Sequence, residues 1–90
     1  MLEQTQEAIR RAVHRYTVHV QGQMAKRRIL DSEVRETVLS AEAEVIEEYP
    51  SDKYGPSCLI YGVTAAGRVL HVQANPEGVI ITAYEPDPAQ

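Results

Sequence analysis

The chain of 90 residues has no tryptophan, no phenylalanine and one cysteine, and it carries no proline before Pro50. Each shortage excludes something. With Cys58 alone, no internal disulfide can form, which fits a reducing compartment. No apolar run approaches the roughly 20 residues of a membrane-crossing helix. Charged residues interrupt the first 28 positions, where a secretory leader would need an apolar centre. A cytoplasmic location is the expectation. Because every proline lies at position 50 or later, residues 1–49 are free to form helices, which an interior proline would break. The five tyrosines supply all the aromatic area, and each brings a hydroxyl that needs water or a partner. They suggest a wet, partly aromatic surface.

What is present suits one domain over residues 1–90, since a chain of this length builds a single core. The formal net charge is −4, which argues mildly against a nucleic-acid binder, but the charge is unevenly spread. Arg10, Arg11, Arg15, Lys26, Arg27 and Arg28 outweigh Glu3 and Glu7 in the first 28 residues, whereas residues 29–54 are strongly acidic. Two readings of this split stay open: a basic face that binds anions, or ordinary exposed helices bearing both signs.

Apolar spacing predicts an amphipathic helix over residues 3–15, built on Leu2, Thr5, Ile9, Ala12, Val13 and Tyr16. A short extended piece follows at 16–18, then a second helix over 19–27, weakened by Gly22. Asp31 is a plausible N-cap for a third helix over 32–40. From residue 44 the period changes to that of strands. Residues 44–49 form a candidate strand ended by Pro50, and 51–56 a loop. Strands over 58–64, 68–74 and 79–84 are separated by the turns Ala65-Ala66-Gly67 and Asn75-Pro76-Glu77-Gly78. Pro86 and Pro88 end the sheet in a free tail, 86–90. The expected class is α+β, with N-terminal helices packed on one face of an antiparallel sheet of three to four strands.

Turn lengths imply a register. Pairing Thr64 with Arg68 sets Tyr61 opposite His71 and Leu59 opposite Gln73. Pairing Ala74 with Val79 sets His71 opposite Thr82 and Val69 opposite Tyr84. One face then collects Cys58, Ile60, Leu70, Val72, Ala74, Val79, Ile81 and Ala83, an apolar core face. The other collects Tyr61, His71, Gln73, Thr82 and Tyr84, beside Leu59, Val63, Val69 and Ile80. Such a face offers an imidazole, two phenols and an amide on rigid strands, as a site requires. It could equally be a solvated face where Tyr and Thr occur because strands favour them.

Three fragments are similar to those of a known family. His19-Val-Gln-Gly-Gln-Met24-Ala-Lys-Arg27-Arg-Ile29 resembles a His-Ala-x-x-Arg-Met-x-x-Arg-Gly-Ile pattern. The second runs from Glu44 to Leu59, with Tyr49, Asp52, Gly55 and Pro56. The third comprises Gly67-Arg-Val-Leu-His-Val72 and Ile81-Thr-Ala-Tyr-Glu-Pro-Asp-Pro88. Together they resemble domain-of-unknown-function family 4258, itself similar to the RelE/MqsR-like toxins of type II toxin–antitoxin systems. The likeness spans residues 16–88. Val20, Gln23, Arg28 and Leu30 depart from the pattern, where Ala, Arg, Gly and Ser stand. The resemblance implies a RelE-like fold, metal-free cleavage of mRNA without a cofactor, and a neutralising antitoxin, a zinc-finger or helix-turn-helix protein.

Metal-free RNA cleavage requires a base for the ribose 2′-hydroxyl, an acid for the leaving oxygen and positive charge on the phosphate. On this expectation His71 is the acid/base, since imidazole titrates near neutrality. Tyr84 or Tyr61 is the second proton-transfer or positioning group, and His19 completes the site. Arg27, with Lys26 or Arg28, holds the phosphate, and Gln73 lies within reach of RNA. His14 reads as a surface residue on a basic helix, and Tyr49 and Asp52 as shapers of the loop before Ser57. No His pair has the one-turn spacing of a helical zinc motif, so no metal site is expected. Cys58, on the apolar face, is no nucleophile. The competing class is a non-enzymatic interaction module or an inactive toxin homologue, whose polar sheet face and acidic middle segment bind a partner protein.

Overall fold

The computed structural model describes residues 1–87. Of the tail expected at 86–90, residues 88–90 lie outside the described residues. Helix α1 (Leu2–Arg10) buries Thr5, Ala8 and Ile9 on one stripe. It stops five residues short of the expected end at residue 15. Ala12 turns left-handed, at φ 56, and the chain beyond it runs along the sheet as β1 (Arg15–Tyr16). There Arg15 N donates to Gly78 O at 2.8 Å and Thr17 N to Ile80 O at 3.2 Å. Those bonds satisfy the outer edge of the last strand, which would otherwise leave its backbone polar groups open. The edge wins over the helical period of 11–16.

Helix α2 (Val18–Arg27) begins one residue earlier than predicted, because the Thr17 hydroxyl caps it by accepting from Val20 N at 3.1 Å. It ends where Arg28 adopts the left-handed conformation, φ 54 and ψ 47. Helix α3 (Asp31–Leu39) has Leu30 rather than Asp31 at its N-cap. The Leu30 N–H donates to the Glu33 carboxylate at 3.0 Å, so the third residue of the helix satisfies its start. Asp31 is therefore free to serve elsewhere.

The remaining strands are β2 (Glu44–Tyr49), β3 (Ser57–Val63), β4 (Val69–Ala74) and β5 (Val79–Tyr84). The sheet has five strands in the order β1-β5-β4-β3-β2, with β1 parallel to β5 and the other pairs antiparallel. It is thus mixed and one strand wider than expected, since nothing in a two-residue stretch announces a partner more than sixty positions away. The β3–β4 register agrees with the expectation, Tyr61 facing His71 and Leu59 facing Gln73.

The β4–β5 register does not. His71 pairs with Tyr84, Gln73 with Thr82 and Ala74 with Ile80. A bulge between the last two pairs inserts one residue. Its origin lies in the turn, where the Asn75 side chain accepts from Val79 N at 2.9 Å while Asn75 N donates to Val79 O at 3.1 Å. In consequence Ile80, expected on the other face, is fully buried in the core cluster; Ile81 is buried as expected, and Val79 is only half-buried.

Helix residues Ile9, Val20, Val34 and Val38 meet Ile60, Leu70, Val72 and Ile80 in the core cluster, so the helices cover one face of the sheet. Helix α3 lies so close to β3 that a Cβ at Gly62 would stand 2.1 Å from the Thr37 carbonyl oxygen. Arg68, between β3 and β4, ties the layers together. Its guanidinium donates to the Glu33 carboxylate at 3.1 Å, to the carbonyls of Arg27 at 3.1 Å and Arg28 at 3.0 Å, and to Glu85 at 3.1 Å. A cation at the C-terminal end of α2 also complements the helix dipole. Among the described residues, no helix is long and apolar enough to cross a membrane.

Candidate functional site

With the helices on one face, the other face of the sheet is left to its own side chains. Odd-numbered residues of β3 and β4 point there, as strand alternation requires. The turn, which pairs Asn75 with Val79, shifts β5 by one residue and the bulge by a second, and together they bring Tyr84, not Thr82, into line with His71. Tyr61, His71 and Tyr84 thereby form one row across three central strands. The Tyr61 and His71 rings meet edge-to-face with centroids 6.1 Å apart, and His71 and Tyr84 likewise at 5.3 Å. His71 Nδ1 lies 3.3 Å from the Tyr84 hydroxyl. All three residues are half-buried. Partial burial lowers the His71 pKa, because desolvation penalises the imidazolium. The ring is therefore neutral near pH 7, able to accept a proton.

Arg27, on α2, meets the row only at its Tyr84 end. It lines an open hollow of about 430 Å³ with Tyr84, Glu85 and Asp87. Part of its guanidinium is already used: Nη1 donates to Ala83 O at 2.9 Å, while the Gln23 amide oxygen accepts from Ala83 N at 3.4 Å. β1 ends at Tyr16, so at Ala83, paired with Val72 of β4 on its inner side, β5 has no strand partner on its outer side. The i, i+4 pair Gln23 and Arg27 supplies one acceptor and one donor there, as a neighbouring strand would. Gln23 thus has a structural task of its own.

The other site residues expected from sequence are not gathered at the row. His19 is exposed on the first turn of α2 and bonds the Gln23 amide at 2.9 Å. With Gln23, Lys26 and Arg27 it lines a separate hollow of about 770 Å³ beside α2. Arg27 belongs to both hollows and joins them. Arg28 sits at the helix end, its carbonyl bound by Arg68. Gln73 lies one row along from His71. Its amide Nε2 donates to Ser57 Oγ at 3.0 Å and to Asp52 Oδ1 at 3.3 Å. Asp52 also accepts from Tyr54 N at 2.9 Å, and the Asn75 amide holds Tyr54 O at 3.0 Å, so the 51–56 loop is fastened down beside the row.

His14 is corrected from a surface residue to a mostly buried one, its side chain only 9% exposed. Because α1 ends early, His14 leaves the helix and lies against Tyr16, bonding Asp31 Oδ1 through Nε2 at 2.9 Å. The Tyr16 hydroxyl donates to the same oxygen. Burial would raise the Asp31 carboxyl, but the hydrogen bonds from Tyr16 and His14, with the Arg35 charge, hold it below the usual value. Burial first, and then Asp31, push the Tyr16 hydroxyl well up. This cluster braces β1 against α3. Sequence reading missed it and Arg68, because both depend on contacts between distant segments.

Cys58 is fully buried and its thiol is pushed up by desolvation, which makes it a poor nucleophile. Among the described residues, no group of three His, Cys, Asp or Glu side chains is arranged to hold a metal ion.

No curated protein and no solved structure matches the chain. The family described as "Domain of unknown function (DUF4258)" matches residues 16–85, a stretch that includes α2, the whole of β2 to β5 and every member of the aromatic row. By that match, over most of its length, the chain belongs to this family.

Proposed function

We propose that this chain is a metal-independent RNA endonuclease, a toxin of the RelE/MqsR-like kind that acts in the cytoplasm and is neutralised by an antitoxin. The observation that carries the proposal is the row itself: a neutral imidazole in contact with a phenol, on rigid strands, with Arg27 beside the Tyr84 end of the row.

The chemistry balances on these groups. In the tautomer that serves, His71 Nδ1–H donates to the Tyr84 oxygen and Nε2 is left as a base. Nε2 takes the proton of a ribose 2′-hydroxyl as the 2′-oxygen attacks phosphorus. The P–O5′ bond breaks, and the departing oxygen takes the Tyr84 proton. The imidazolium then gives its Nδ1 proton to the phenolate, which restores the phenol and leaves a neutral imidazole protonated at Nε2; proton exchange with water returns it to the starting tautomer. The products are a 2′,3′-cyclic phosphate and a 5′-hydroxyl. Tyr61 packs on the far side of the imidazole and holds its orientation. The Arg27 N–H groups not directed at Ala83 bear on the phosphate, where a positioned cation stabilises developing charge. His19 and Lys26, in the adjoining hollow, meet the RNA strand further along.

One observation favours a second reading, a protein-interaction module without catalysis. The hollow that contains Arg27 is also lined by Glu85 and Asp87, and acids repel a phosphodiester. Glu85 is offset by Arg68, which keeps the nuclease reading ahead. Expression in bacteria separates the two. The toxin reading predicts growth arrest, relieved by the product of the neighbouring gene and abolished in His71→Ala. Harmless expression of the folded wild-type protein supports the module.

A further inference from the structure

Gln73 is held in one direction, and that direction has a chemical meaning. Its amide nitrogen has two hydrogens, and both are engaged, one by Ser57 Oγ and one by Asp52 Oδ1. Ser57 is fully buried and β-paired with Tyr49, so its hydroxyl is a fixed point. Asp52 is fixed by the Tyr54 amide. Turning the Gln73 amide over would set its carbonyl oxygen against the Asp52 carboxylate, two acceptors facing each other, which the charge forbids. The nitrogen is therefore committed to the protein. Among the described residues, the amide oxygen Oε1 has no hydrogen-bond partner, and the side chain is only half-buried. Gln73 cannot donate to a phosphate. What it presents to a ligand is an acceptor, and nothing else.

Its position gives that acceptor a target. Gln73 and His71 lie on the same face of β4, two residues apart, so their stems stand roughly 7 Å from each other. That is about the span from a ribose 2′-oxygen to the outer edge of its base. Leu59, buried on the same face opposite Gln73, offers an apolar floor beside the amide. A ribose held at His71 would direct its base along β4 towards Oε1.

We infer that Gln73 reads the base next to the reacting ribose and selects one that bears an amino group at the pairing edge, adenine or cytosine, over one that bears a carbonyl there. The amino N–H donates to Oε1. The O4 of uracil meets Oε1 as acceptor against acceptor, and Asp52 behind it deepens the repulsion. This subsite rests on the proposal that RNA occupies the row, but not on whether the bond is cut.

Cytidine and uridine 3′-monophosphates differ at this edge at position 4, amino group against carbonyl, and at the neighbouring N3, a bare acceptor against an N–H. Each is titrated into the ¹⁵N-labelled full chain, with affinity read from the amide shifts of β4 and the Gln73 side-chain signals. The wild type is expected to bind the cytidine nucleotide about tenfold more tightly, the size of one matched against one unmatched hydrogen bond. Gln73→Met is expected to bring the two to parity. The amide signals of residues 51–56 report whether the loop stays in place in that variant. Asp52→Asn gives a second route, because it removes the charge that fixes the amide's direction; the preference should shrink while Gln73 itself is kept. Equal binding of the two nucleotides by the wild type, binding of neither, or a preference that survives Gln73→Met would overturn the subsite. If the preference holds but RNA is never cut, the cleavage proposal fails and the subsite stands. If RNA is cut through His71 with no base preference, the reverse is true.

Discussion

The imidazole of His71 meets the phenol of Tyr84 across β4 and β5, with centroids 5.3 Å apart and Nδ1 3.3 Å from the hydroxyl. This contact exists because the turn at Asn75 and one extra residue in β5 each shift the β4–β5 register by one. Burial lowers the His71 pKa in the folded chain below its unfolded value. Between those two values the unfolded chain binds the additional proton, so stability rises with pH in that window. The contribution of His71 is thus complete above about pH 6.5 and declines as the pH falls from there towards the folded value. Urea midpoints measured from about pH 8 down to about pH 5 should show this decline in the wild type and a flatter profile in His71→Gln. Equal slopes would mean that the ring is solvated as in a free peptide.

Arg68 bonds two carbonyls at the end of α2, the first turn of α3 and Glu85 at once, with only 22% of its side chain exposed. Removing it leaves Glu33, 19% exposed, without its cation, while the exposed acceptors at Arg27, Arg28 and Glu85 turn to water. Arg68→Met should cost about 1–2 kcal/mol in urea unfolding, and Arg68→Lys should recover less than half of that, since an ammonium cannot span the same fork. A loss below about 0.5 kcal/mol, the range of ordinary surface changes, would show that the network is incidental.

Two glycines separate packing from helix propensity. A Cβ at Gly62 would overlap the Thr37 carbonyl of α3, whereas a Cβ at Gly22 meets nothing within 4 Å. Gly62→Ala should destabilise by about 3 kcal/mol or more, because α3 must move off the sheet. Gly22→Ala should stabilise by up to about 1 kcal/mol through α2 alone. Thermal unfolding of both variants checks the closeness of α3 to β3.

Cys58 is fully buried and its thiol is raised by desolvation. A disulfide reagent should leave it unmodified in the folded protein at neutral pH and label it fully in denaturant. Fast labelling under native conditions would place β3 at the surface, contrary to the sheet order.

How much of this was legible in the chain depended on how local each feature is. The β3–β4 hairpin was readable because Ala65-Ala66-Gly67 closes a simple turn, with Thr64 N on Arg68 O at 2.8 Å. That was enough to pair Tyr61 with His71. The next hairpin was not, because the side chain of Asn75 takes a place in the ladder and shifts the register. The face of His71 came out right, but its partner on β5 came out wrong. The end of α1 was hidden because Val13 and Tyr16 prolong the helical period, and only the distant edge of β5 cancels it. Arg28 carries a signal of another kind. The family-like pattern has Gly there, and the structure puts Arg28 at φ 54, where Gly is favoured. The dual use of Arg27, on Ala83 O and at the hollow beside Tyr84, could not be read from spacing at all.

Cleavage by the purified full chain decides whether the His71–Tyr84 row is catalytic. RNA, free and on ribosomes, is incubated with wild type and His71→Ala in a chelator of divalent cations, and the new ends are identified. Cutting should persist in the chelator, leave 2′,3′-cyclic phosphate and 5′-hydroxyl ends, and fall about 100-fold or more in His71→Ala. RNA left intact by the wild type on and off ribosomes, or cut equally well by His71→Ala, would contradict a catalytic row.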